Sequence, residues 1–160
     1  PVITAFAVDL LYPGLDLELD AMAIIDPDKK ILSPAGLGGR YQPAEFSDGI
    51  NADSEIYVAG QTALQQDGSV LSPGDIPGQS KEVFQRLEKI LQEADATLTD
   101  VVKLNLFIVA DDRDSESAFH QACQIWAEMC PDGHPVLTPV RVHELAQAGL
   151  LIQADCIAVK

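Results

Sequence analysis

The chain has 160 residues, with 10 Lys and Arg against 25 Asp and Glu, a formal net charge of −15. That surplus of carboxylates excludes a protein built to grip nucleic-acid phosphate or an anionic membrane surface, since both need clustered cations. At 47% apolar and 22% charged the composition is globular, and the length fits one domain with one sizeable core. No apolar run reaches spanning length, and the opening Pro1-Val2-Ile3-Thr4 lacks the basic-then-apolar layout of a secretory leader. Cys123, Cys130 and Cys156 form no CxxC pair, which points to a reducing cytoplasm rather than a secreted disulfide framework.

In chain order, residues 2–12 and 17–25 are apolar runs split by Pro13-Gly14, the pattern of a strand hairpin. Residues 26–54 carry Pro27, Pro34 and Pro43 with Gly36, Gly38, Gly39, Gly49 and Asn51, and read as one long irregular connection. A buried-type strand follows over 56–61, then a turn at Asp67-Gly68. Val83, Leu87, Ile90 and Ala94 fall at helical spacing, with Phe84 and Leu91 widening the stripe, so a helix is expected from Gly78 or Ser80 to about Ala96. Residues 101–110 are dense in β-formers. A second helix fits 115–129, capped by Asp114 or Ser115 and stopped by Cys130-Pro131-Asp132-Gly133. Two last strands, 136–145 and 150–159, are joined through Ala148-Gly149. Single helices alternating with strands, plus two terminal antiparallel strands, describe an α+β sandwich with helices on one sheet face. The other face or an edge is left free to associate.

Several short motifs then line up in order. Gly39-Arg40-Tyr41-Gln42 resembles a Gly-Pro-Tyr-x-Gln signature, and Ala59-Gly60-Gln61 resembles a Ser-Gly-Gln. Residues 100–108 are similar to a central strand motif, and His134-Pro135-Val136-Leu137-Thr138 takes the place of a Phe-Pro-Ala-Arg segment. Residues 152–159 resemble a closing Ile-Glu-Ile-Glu-Ala-Ile-Ala-Val strand. Together they resemble the RidA/YjgF family, also labelled endoribonuclease L-PSP, over residues 38–160.

The resemblance implies a chorismate-mutase-like α+β fold, a mixed sheet with two helices on one face, and a homotrimer with ligand clefts between subunits. The domain is placed at 35–160, behind a hairpin extension at 1–34. In family members that hydrolyse enamines and imines, the resemblance implies a cleft arginine gripping a carboxylate and a glutamate positioning water. Here Leu137 stands at the arginine's place and Gln153 at the glutamate's. Leucine binds no anion and glutamine is no base. The expected protein is therefore a small-molecule-binding trimer whose chemistry has drifted. One version is a hydrolase or deaminase acting on a metabolite other than the usual enamine or imine; the other is a non-catalytic ligand sensor on the same scaffold. The cleft candidates are Tyr41, Gly60, Gln61, Leu137 and Gln153, with Arg40 beside Tyr41 as the substitute cation and Arg141 as its rival.

No metal or other cofactor is expected. His120, Cys123, Cys130 and His134 are spread over two helical turns and a loop, which does not converge on one tetrahedral ion. Ribonuclease action is not expected either, because no basic-aromatic stripe accompanies the acidic charge. Finally, residues 13–24 resemble residues 148–159: Gly14, Leu15, Asp20 and Ala23 coincide with Gly149, Leu150, Asp155 and Ala158. Two readings stand side by side: residues 1–25 copy the domain's own closing hairpin, with Glu18 where the C-terminal version has Gln153, or two amphipathic strand segments simply look alike over twelve positions.

Overall fold

The structure is a computed structural model that describes residues 1–10, 14–25, 27–35, 37, 46–111 and 114–160. Short runs of β-formers supply six strands. These are β1 (Lys29–Leu32), β2 (Gly49–Ala52), β3 (Glu55–Thr62), β4 (Val101–Val109), β5 (Val136–Val142) and β6 (Ile152–Val159). The helices are α1 (Ile76–Gln92) and α2 (Ser115–Met129), and a single 3₁₀ turn, Leu98–Asp100, leads into β4. The strands form one sheet in the order β1-β2-β3-β6-β4-β5. Every neighbouring pair is antiparallel except β4 and β5. Strands β3 and β4 therefore run the same way with β6 between them, and α1 is the crossover that joins them. Helix α2 is the crossover from β4 to the parallel β5. Both helices thus pack on one face of the sheet.

Helix α1 begins two residues before Gly78 and four before Ser80, the two expected starts, because Pro77 at its first turn fixes φ where no N–H is needed. Val83, Phe84, Leu87, Ile90 and Leu91 are fully buried along its inner face. Phe84 meets Trp126 of α2 edge to face, with centroids 5.2 Å apart. The sheet's contribution to this core is Ile56 and Val58, then Leu104, Leu106 and Ile108, then Ile152, Ala154, Cys156 and Ala158. A smaller cluster at one end gathers Ala63, Leu64, Phe107, Val142, Leu145 and Leu150. Among the described residues, no helix is long and apolar enough to cross a membrane.

Three expectations need correction. The N-terminal hairpin is not formed: in the described parts of residues 2–12 and 17–25, the one ladder contact is an isolated bridge between Ala7 and Glu144. Among the described residues no strand lies beside residues 15–25, and an isolated strand pair is marginal in water. The connection at 26–54 is not wholly irregular, since β1 and β2 lie within it. They are four-residue strands near a sheet edge, and Lys29 and Lys30 mask the apolar signal of the first. The last two strands are antiparallel but not adjacent. Strand β6, apolar on alternate positions and buried along most of its length, is inserted between β3 and β4, whereas the more exposed β5 takes the edge.

Candidate functional site

The site forms where β3 is irregular. Val58 pairs with Cys156 and Gln61 with Ala154, so three steps on β3 oppose two on β6, which marks a bulge. The bulge falls at Ala59 and Gly60, and it frees the Gly60 N–H from the ladder. That N–H donates instead to the carbonyl of Ile3, at 3.1 Å. A side chain at Gly60 would be tightly placed: a Cβ there would sit 3.0 Å from the Gln153 Cδ and 3.1 Å from the Thr4 Cγ2. A larger residue at this position must push the Gln153 and Thr4 side chains aside.

Around the bulge lies a cavity of about 340 Å³, with Gly60, Gln61, Thr62, Gln153, Asp48 and Arg86 among its walls. Gln153 is buried, and its amide Nε2 donates to the carbonyl of Ala5 at 3.1 Å. Gln61 is buried too, with its Nε2 bonded to the Ala59 carbonyl. Ile3 and Ala5 close the cavity from outside. The cleft therefore offers three neutral N–H donors, from Gly60, Gln61 and Gln153, each on a neutral carbonyl; those of Gly60 and Gln153 reach across to residues 3 and 5.

Residues 1–9 cross the sheet face away from the helices as an extended strap. The Pro1 carbonyl accepts from the Ser47 N–H, and the Ala7 carbonyl accepts from the His143 N–H at 2.9 Å. Between them, the Thr4 hydroxyl donates to Asp155, and Phe6 stacks on Phe107 with centroids 4.3 Å apart. Asp155 also accepts from the Asn105 amide, at 2.6 Å. Burial pushes the Asp155 carboxyl above the ordinary carboxylate range, and the Thr4 and Asn105 hydrogen bonds and the Lys103 ammonium draw it partly back.

Of the residues expected at the site, Gly60, Gln61 and Gln153 come together. Leu137 is partly buried and packs against the main core, paired with Leu104. Arg141 borders a different cavity, with Val109, Ala110, Asp111 and His143. Arg40 and Tyr41 lie outside the described residues. Two charged wall residues had gone unnoticed in the sequence. Arg86 is 5% exposed on α1, and its Nε is 2.8 Å from Glu82 Oε1, one turn earlier. Its position three residues after Val83 and four before Ile90 already places it on the buried stripe. Asp48 is buried just before β2, and its carbonyl accepts from the Ala59 N–H. No periodic signal marks it. Among the described residues no three His, Cys, Asp or Glu side chains gather to hold a metal ion.

A mixed six-stranded sheet with two crossover helices on one face and a cleft at a β3 bulge defines a YjgF-like α+β protein. The family model described as endoribonuclease L-PSP matches residues 40–160, and the chain belongs to this RidA/YjgF family. It is 32% identical over 130 residues to the mitochondrial protein mmf2 of Schizosaccharomyces pombe, covering 80% of this chain and 94% of that one. Its fold is similar to that of yeast Mmf1, with a TM-score of 0.69 at 26% identity over 82% of this chain and 98% of the other. It is similar also to Escherichia coli TdcF with bound serine, with a TM-score of 0.67 at 22% identity over 82% of this chain and 98% of TdcF.

Proposed function

We propose that the cleft at Gly60 binds a small, uncharged, carbonyl-bearing metabolite, in a homotrimer of the RidA type. The observation that carries this reading is the pair of donors. The Gly60 N–H and the Gln153 amide each serve a neutral carbonyl, and a ligand carbonyl can take over either one. The one arginine among the cleft's described walls has a carboxylate partner in Glu82, so its charge is already balanced. Leu137 and Gln153, where the resemblance expects arginine and glutamate, supply neither an anion grip nor a base. TdcF with bound serine supports a small polar metabolite as the general ligand class.

A hydrolase or deaminase is the second reading. It is favoured by Asp48, a buried carboxylate on the same cavity wall that is able to orient a water molecule. Titration with small carboxamides, with serine as the charged comparison, tests the first reading. Saturable carboxamide binding that weakens at least tenfold in Gln153→Ala supports it; tighter binding of serine overturns the uncharged-ligand claim. Ammonia release from carboxamides or freshly generated 2-iminoacids, lost in Asp48→Asn, selects the enzyme.

A further inference from the structure

The match between the two ends of the chain is longer than one strand. Pro1-Val2-Ile3-Thr4 repeats Pro135-Val136-Leu137-Thr138, and Val8 and Leu11 repeat Val142 and Leu145. Skipping Gln147 alone, the register then continues through Gly14, Leu15, Asp20 and Ala23 onto Gly149, Leu150, Asp155 and Ala158. The paired segments are therefore residues 1–24 and 135–159, which at the C-terminus are β5, its connection and β6.

Two structural observations agree with this register. Gly14 and Gly149 are both left-handed, at φ +87° and +91°, so the two connections use the same turn residue in the same conformation. The alternation also matches face by face. In β6 the residues under the helices are Ile152, Ala154, Cys156 and Ala158; the register places Leu17, Leu19, Ala21 and Ala23 there, and all four are apolar. The opposite face carries Gln153, Asp155 and Ile157, matched by Glu18, Asp20 and Met22. A strand with this pattern belongs in the middle of a sheet, flanked on both sides and covered by helices. In this chain it is bare: Leu17, Leu19 and Met22 are 72%, 77% and 68% exposed.

We propose that residues 1–25 are the closing β5–β6 unit of a second copy of this domain, and that this copy walls the cleft described above through residues 1–7. Strands equivalent to β3 and β4 of the second copy flank residues 17–24, and helices equivalent to α1 and α2 cover their apolar face. The β5-like part lies as it is seen, along the open face, with the Ile3 and Ala5 carbonyls on the Gly60 N–H and the Gln153 amide. The two copies are not chemically equivalent. Glu18 stands where this domain has Gln153, so the second cleft presents a carboxylate that can accept a proton, and the first an amide that cannot. The inference rests on the fold and not on which metabolite is bound.

Grafting tests the first half. In the full chain, residues 135–159 are replaced by a duplicate of residues 1–24. The graft is expected to keep the native far-UV spectrum and a cooperative thermal transition. A duplicate displaced by one residue, which turns Glu18 and Asp20 under the helices, is expected to lose both. Because Leu19 overfills the site of Ala154, a second graft carries Leu19→Ala. If both in-register grafts unfold like the displaced one, the proposal is overturned. Hydrogen exchange tests the second half. Removal of residues 1–25 is expected to speed exchange of the Gly60 and His143 amides at least tenfold while leaving the Leu106 amide protected; unchanged exchange at Gly60 overturns the cleft-wall claim.

Discussion

On β6, Ile152, Ala154, Cys156 and Ala158 point under the helices, whereas Gln153 and Asp155 point to the opposite face, and both faces are largely closed to water. The first face is closed by side chains alone. Its neighbours are Val83, Phe84, Leu87 and Ile90, and none of these groups asks for a hydrogen bond. The second face is closed around polar groups that must each find a partner: Gln153 on Ala5, and Asp155 on Asn105 and Thr4. The difference separates what makes the fold from what gives it selectivity. Apolar packing is tolerant of ligand identity, while a buried amide or carboxylate discriminates sharply, because an unmatched partner leaves it unsatisfied.

Substitutions on the two faces should therefore differ in kind. The largest effect belongs to the helix face. Phe84→Ala removes a fully buried ring and its edge contact with Trp126, and is expected to cost about 3–5 kcal/mol in denaturant unfolding. A cost near zero would break the distinction at once. On the other face, Gly60→Ala forces a methyl against Gln153 and Thr4, with an expected cost of about 1–3 kcal/mol and loss of carboxamide binding. Phe6→Ala removes the stack on Phe107 from a half-exposed position, and should cost only about 1 kcal/mol by the same unfolding measurement. A larger loss for Phe6 than for Phe84 would reverse the assignment of the two faces.

The same contrast explains what could be read in the sequence. Helix-face residues declare themselves by period: the stripe from Val83 to Ile90 and the β-rich run at 101–110 located α1 and β4 to within a few residues. The second helix, 115–129, was legible at both ends from its capping and stop residues. The strands β1 and β2 were not legible, because four residues with exposed lysines carry too little apolar periodicity. At the cleft, Gly60, Gln61 and Gln153 were found by motif. Arg86 belongs to no such motif, and a cation on the buried stripe reads as an interruption of it. The engagement of the open face by residues 1–9 had no local signal at all. It depends on backbone carbonyls, which every residue has, and on single side chains such as Thr4 and Phe6.

The finest test of the contrast is Asp155, a half-buried titratable group on the polar face. Burial raises its pKa in the folded chain, so the folded state holds the proton to a higher pH than the unfolded state does. The stability this linkage contributes is present in full below the ordinary carboxylate value, about pH 4, and is lost as pH rises through the raised folded value. Asp155→Asn keeps an acceptor oxygen for Thr4 and Asn105 but cannot ionise. Urea midpoints measured from about pH 4 to 7 should therefore fall less in Asp155→Asn than in the parent chain. A parent chain that gains on the variant with rising pH would mean that the Thr4, Asn105 and Lys103 contacts outweigh burial. Removing residues 1–10 sharpens the comparison further. It takes away the Thr4 hydrogen bond and opens the face to water, so the pH-dependent gap between Asp155 and its Asn variant should shrink. The helix-face residues Ile152 and Ala154 should keep their protection in the same shortened chain.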